Sequence, residues 1–117
     1  MKILLSFIFL SGLAYAQPKS DTFVVQINDR SMSILSPDKK RPIFSVLVEN
    51  HSLSDKVGKF TVQGKLLKYV SVKSGQTEPV EIENKSSSNV VFVPVSPAFQ
   101  EAELIFGKKA YEIPSKK

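Results

Sequence analysis

Apolar residues return at every second position along most of the chain, the period of strands that bury one face. The pattern is most sustained in Ile43–Asn50 (IFSVLVEN), where Phe44, Val46 and Val48 share a face, and it predicts a central strand there. Weaker alternation surrounds it. Thr22–Asn28 places Phe23, Val25 and Ile27 together, and Ser31–Leu35 turns Met32 and Ile34 inward. Gly58–Gln63 does the same with Phe60 and Val62, and Glu78–Glu83 with Val80 and Ile82. Asn89–Val95 is dense in β-formers, but Pro94 lacks a ladder donor, which predicts a strand end or a sheet edge. Glu101–Phe106 puts Ala102, Leu104 and Phe106 on one face. Gly107-Lys108-Lys109 then reads as a hairpin turn, and Ala110–Ile113 as the returning strand with Tyr111 and Ile113 inward.

One stretch breaks the rule. In Leu66–Lys73 (LLKYVSVK), Leu66, Val70 and Val72 share a parity with Lys68, whereas Leu67 and Tyr69 share the other. A β-bulge near Lys68 reconciles them, because one extra residue reverses the facing pattern; a strand covered on both faces is the alternative. Turn-forming residues separate the strands: Asn28-Asp29-Arg30, the proline-bounded Ser36–Pro42 loop, the polar His51–Val57 connection, Gly64-Lys65, Ser74-Gly75, Asn84–Ser88 and Ser96-Pro97-Ala98. No segment carries a helical period. Short strands at intervals of about 8 to 12 residues predict an all-β fold, an antiparallel sandwich of about eight strands or a small barrel.

The N-terminus departs from this pattern. Lys2 precedes the apolar run Ile3–Leu13, and Ala14-Tyr15-Ala16 follows it with the small-x-small pattern of a signal-peptidase site. The run falls short of the roughly 20 residues of a spanning helix. The expectation is a signal peptide over residues 1–16, cleaved between Ala16 and Gln17, and one domain over residues 17–117. No later segment has the apolar length of a transmembrane helix, and no cysteine exists to carry a lipid anchor. Small secreted domains often lean on disulfides. A cysteine-free exported domain points to a bacterial periplasm or secreted location, with the core alone carrying stability.

Charge narrows the partners. Without Lys2, 15 Lys and Arg stand against 11 Asp and Glu, a net charge of +4, and 13 of those cations are Lys. Phosphate and nucleic-acid sites favour the forked guanidinium of Arg, with aromatics interleaved for stacking. Neither feature is present, so no nucleic-acid partner is expected. The sharpest positive point is Lys39-Lys40-Arg41, a candidate site for an acidic partner or an anionic surface. A solvated loop tip accounts for the same residues.

Catalytic chemistry has little to work with. His51 is the sole histidine; with Asp55 and a serine it formally completes a Ser-His-Asp set, but no G-x-S-x-G elbow accompanies it. One histidine and no cysteine fall short of a zinc site. Glu78, Glu81 and Glu83 offer carboxylates without the Asp-rich loop that calcium takes. The chain is therefore expected to be no enzyme and to hold no cofactor or metal. Two N-x-S sequons, Asn50-His51-Ser52 and Asn84-Lys85-Ser86, matter only in a eukaryotic secretory pathway. A last strand lying at a sheet edge would offer free backbone groups to an extended segment of another protein, although nearby lysines discourage such pairing.

Between Arg41 and Asn84 the order of strands and turns resembles bacterial immunoglobulin-like modules of the cell-adhesion-related and PapD-like kind. The residues that carry the resemblance are Val46–Ser52 (VLVENHS), Phe60–Gly64 (FTVQG), Val70–Gln76 (VSVKSGQ) and Val80-Glu81-Ile82. It spans 44 residues and lacks the cysteine pair and core tryptophan of antibody domains. The resemblance implies an immunoglobulin-like sandwich and a habit of binding other envelope or extracellular proteins. The alternative function is a small-ligand or glycan-binding sandwich, which aromatics on an outer face would favour. Phe23, Phe44, Phe60, Phe92 and Phe106 fit the core better.

Overall fold

A computed structural model describes residues 22–96 and 100–114. Ala14, Ala16 and Gln17, and with them the proposed cleavage, lie outside the described residues. Nine strands are formed: β1 (Thr22–Ile27), β2 (Ser31–Leu35), β3 (Ile43–Asn50), β4 (Lys56–Val62), β5 (Lys65–Val72), β6 (Thr77–Glu83), β7 (Val90–Ser96), β8 (Ala102–Leu104) and β9 (Ala110–Pro114). No helix occurs among the described residues, so none there is long and apolar enough to cross a membrane.

The strands make a five-stranded sheet in the order β9-β2-β1-β3-β6 and a four-stranded sheet in the order β5-β4-β7-β8. One core cluster joins their inner faces. Phe23, Phe44 and Phe106 meet edge to face with centroids 4.8 to 5.4 Å apart, and Phe60 lies 5.0 Å from Phe92. The period-two faces explain this core. Phe23, Val25, Ile27, Met32, Ile34, Phe44, Val46, Val48, Val80 and Ile82 are all buried.

Several expectations change. One pair is not antiparallel: β1 and β3 run parallel, with Phe23 opposite Val46. The β1–β2 hairpin places β2 on one side of β1. The loop over residues 36–42 then carries the chain across to the other side, where β3 runs in the direction of β1. The irregular strand resolves as a bulge. Phe60 faces Lys68 but Thr61 faces Leu66, so Leu67 is the extra residue. Leu67 packs on the core, Leu66 and Tyr69 face outward, and Lys68 reaches past the sheet edge to the Glu81 carbonyl at 3.0 Å. The turn before it is Gln63-Gly64, both at positive φ (51° and 79°), the geometry of a two-residue hairpin.

Strand β7 continues through Pro94 to Ser96. Its partner β8 covers only Val90–Phe92, so the missing donor falls where β7 has one neighbour among the described residues. Gly107-Lys108-Lys109 is not a hairpin turn. It carries the chain from β8 in one sheet to β9 in the other, where β9 pairs with β2. Gly107, at φ 78°, gives its N–H to the Pro37 carbonyl (2.8 Å), and Lys109, at φ 69°, receives Ser36 N–H on its carbonyl (2.7 Å). These bonds tie the crossing to the loop after β2 instead of folding it back on β8. Tyr111 clamps it: its hydroxyl donates to the Glu103 carbonyl at 2.8 Å and accepts from Ile105 N–H at 3.2 Å.

Candidate functional site

The two N-x-S sequences are turns of one design. Each belongs to a longer N-x-S-x-S, Asn50–Ser54 (NHSLS) and Asn84–Ser88 (NKSSS), and each leads the chain from the five-stranded sheet into the four-stranded one. In the first, Asn50 Oδ1 accepts Ser52 N–H (3.0 Å) and Nδ2 donates to the Ser54 carbonyl (2.9 Å). In the second, Asn84 Oδ1 accepts Ser86 N–H (3.1 Å) and Nδ2 donates to the Ser88 carbonyl (2.8 Å). Short polar side chains bonding their own downstream backbone are what close such turns. Asn50 goes further. It is 1% exposed, its Nδ2 also reaches the Val72 carbonyl (2.9 Å), and its Oδ1 accepts Ser52 Oγ–H at 2.6 Å. The folded structure has no room for a glycan on a buried amide whose nitrogen serves two carbonyls.

The titratable candidates are dispersed. His51 Nε2 lies 3.0 Å from Glu49 Oε1, while Asp55 accepts Ser74 N–H at 3.0 Å, so the formal Ser-His-Asp set is not assembled. Glu83 pairs with Lys85 at 3.5 Å on the surface. No group of three or more His, Cys, Asp or Glu among the described residues is placed to hold a metal. Among the described residues, Tyr111 is the one titratable side chain moved clearly from its ordinary range. Burial raises its phenol and the Glu103 charge adds to this, against the lowering bond from Ile105 N–H.

The basic triplet gains company from the fold. Lys39, Lys40 and Arg41 are exposed on the loop between β2 and β3, with Lys40 Nζ 3.4 Å from the Ser87 carbonyl. Pro42 O accepts Asn84 N–H (2.7 Å) and Pro37 O accepts Gly107 N–H. Lys85, Lys108 and Lys109 are thereby carried to the same end of the sandwich. Sequence separation hides this gathering.

The outer face of the four-stranded sheet holds the other concentration of unusual exposure. Cross-strand register sets Tyr69 beside Lys59 and Lys59 beside Val93, and sets Leu66 beside Thr61 and Thr61 beside Val91. Val57 continues the surface, and the bulged Val95 lies at its rim. Tyr69 is 63% exposed, Val95 53%, Leu66 47% and Val57 38%. Lys59 sits at the centre, and Lys65, Glu103 and Ser71 border the patch. Alternation leaves Leu66 and Tyr69 open, because their facing depends on the bulge, and the expected polar connection His51–Val57 hides Val57, which is part of β4. That Tyr69, Val93 and Leu66 form one surface depends on strand order, which alternation does not contain. Compared with known protein families, with characterised proteins and with solved structures, the chain matches none of them.

Proposed function

We propose that the chain is an exported, non-catalytic protein-binding module of a bacterial envelope, an immunoglobulin-like sandwich that docks another protein on the outer face of its four-stranded sheet. The observation that carries this reading is the flat patch of Val57, Leu66, Tyr69, Val93 and Val95 around Lys59. Contiguous exposed apolar surface on a well-packed small protein marks an interaction site. Tyrosine is a residue on which binding energy concentrates, because it buries a large rigid ring and still keeps a polar end. The partner is expected to bring apolar side chains to Tyr69 and Leu66 and a carboxylate to Lys59. A flat face with one exposed aromatic suits a protein surface better than a sugar, which stacks in a cleft or on several rings.

Two further observations support the immunoglobulin-like assignment. The pairing of β3 with β6, and of β4 with β7 opposite, brings together strands that are not consecutive in the chain, as Greek-key connections between two sheets do. The export assignment rests on Lys2, the apolar run Ile3–Leu13 and Ala14-Tyr15-Ala16. Intact mass of the protein recovered from the envelope fraction tests it; a mass that includes residues 1–16 rejects the cleavage.

The binding test is capture from envelope extract with the native chain and with Tyr69→Ser/Leu66→Ser. The expected result is a stoichiometric partner that the double variant loses while its circular dichroism is unchanged. A partner retained by the double variant moves the site elsewhere. No stoichiometric partner, together with saturable binding to a glycan array, replaces the reading with a glycan-binding one.

A further inference from the structure

The charge of the molecule is polarised along the strands. Three loops meet at one end: residues 36–42, 84–89 and 105–109. They carry Lys39, Lys40, Arg41, Lys85, Lys108 and Lys109, half of the twelve Lys and Arg among the described residues, against Asp38 and the adjoining Glu83, which ends β6 and pairs with Lys85 at 3.5 Å. The β4–β5 hairpin, with Lys65, turns at this same end, because Thr61 pairs with Val91 at the start of β7. At the opposite end the loops over residues 28–30, 51–55 and 73–76 carry Asp29 and Asp55 against Arg30 and Lys73. One end is strongly positive. The other is balanced.

We propose that the positive pole is a docking surface for an anionic lipid bilayer. Five of the six cations are Lys, compact point charges that suit a diffuse negative surface better than the bidentate recognition of one phosphate. The crevice at the pole is lined by Phe44, Val90, Leu104 and Phe106 beside Lys40 and Arg41, an apolar lining that does not suit a small anion. Exposed apolar side chains accompany the charge: Ile43 opens β3 directly after the basic loop, and Leu35 closes β2 just before it. Lysines around protruding aliphatic groups match an interface of headgroups over acyl chains, where each cation near an anionic leaflet contributes favourably and within a Debye length.

The path of the chain agrees with this orientation. Strand β1 begins at the pole, since Thr22 pairs with Ser45 near the start of β3. Only eight residues, 14–21, separate Thr22 from the end of the apolar run at Leu13. A sandwich so tethered, even transiently during export, meets the membrane with its positive end. The patch around Tyr69 lies on a sheet face, along the side of the sandwich, so docking the pole leaves it open to a partner.

Partition of the full chain onto vesicles tests the proposal, with phosphatidylcholine vesicles compared with vesicles containing about 30% phosphatidylglycerol. The expected preference for the anionic vesicles is at least tenfold, and it falls as salt is raised. Lys2 and the apolar run are common to the native chain and to both triple variants, so the comparison between variants isolates the loops. Lys39→Gln/Lys40→Gln/Lys85→Gln, all exposed positions, should abolish the preference. Arg30→Gln/Lys59→Gln/Lys73→Gln, which removes the same charge elsewhere, should retain most of it. Equal losses in the two triple variants assign the effect to net charge and overturn the pole. Equal partition of the native chain onto both vesicle types, or binding to polyglutamate that displaces it from the anionic vesicles, overturns the bilayer as the occupant.

Discussion

Replacing Asn50 with Asp preserves shape and removes only donors, and the structure sets the size of the effect. Asn50 Nδ2 supplies both the Ser54 and Val72 carbonyls at 2.9 Å, thereby tying the end of β3 to the start of β4 and the end of β5. Asn50 also bonds through its backbone, its N–H to the Gln76 carbonyl and its carbonyl to Gly75 N–H. Asn50→Asp removes both bonds and sets an oxygen against the two carbonyls; the Ser54 carbonyl keeps Ser52 Oγ–H at 2.9 Å, whereas the buried Val72 carbonyl loses its side-chain donor. At a net of about 1 kcal/mol per bond lost and about 1–3 kcal/mol per buried group left unsatisfied, the cost is about 3–5 kcal/mol. That is a large share of the roughly 5–15 kcal/mol a small domain holds. Urea unfolding followed by far-UV circular dichroism reads it. With a slope of about 1–1.5 kcal/mol per molar, the midpoint falls by about 2–5 M. Burial favours the protonated carboxyl in the folded variant, so its deficit is smallest in acid and grows as pH rises from about 3 to 7. Asn84→Asp is the internal control. It sits in the same N-x-S-x-S geometry but is only half-buried, and should cost less than about 1 kcal/mol. Equal costs at the two positions would refute the claim that Asn50 joins three strands while Asn84 closes only its own turn.

Three further outcomes follow from the packing. Gly58→Ala places a methyl carbon 2.5 Å from Phe92 Cε1 and 2.6 Å from Cζ, inside a buried ring contact, and should destabilise by about 1–3 kcal/mol; Phe92→Leu in the same chain should recover part of that loss in a double-mutant cycle. Tyr111→Phe removes the bonds to Glu103 O and Ile105 N–H and should cost about 1–2 kcal/mol by denaturant titration. The raised phenol pKa gives the sign of the pH effect. Tyr111 contributes its stabilisation fully below the ordinary phenol value near 10.0, and loses it as pH climbs through the higher folded value, so the native chain should lose stability in strong alkali more steeply than Tyr111→Phe.

Local pattern and tertiary placement separate cleanly along this chain. Ile43–Asn50 was legible to its ends because alternation, β-branching and flanking turns all agree there. The inward parity of β1, β2, β3 and β6 followed from the same period, which needs no knowledge of neighbours. Leu66–Lys73 gave two readings because a bulge has no residue signature of its own; only the jump from Lys68 to Leu66 opposite Phe60 and Thr61 locates it. Gly107-Lys108-Lys109 has the composition of a hairpin, yet its donors and acceptors belong to Pro37 and Ser36, some seventy residues earlier. The sequons have the same lesson in reverse. They spell a glycan acceptor, while their amides are consumed by turn closure. The candidate sites depend on juxtaposition most of all. Lys39-Lys40-Arg41 was visible as a run, but Lys85 and Lys108 join it only through loop contacts, and Tyr69 meets Lys59 and Val93 only through strand order.

The protein-docking face is the centre of this account, and a photo-reactive phenylalanine analogue at position 69 tests it most directly. Irradiation of cells expressing the full chain with the analogue at Tyr69 should give one discrete adduct with another protein. The same analogue at Glu112, outward on β9 of the opposite sheet, should give none. No adduct from position 69, or the same adduct from both positions, would contradict it.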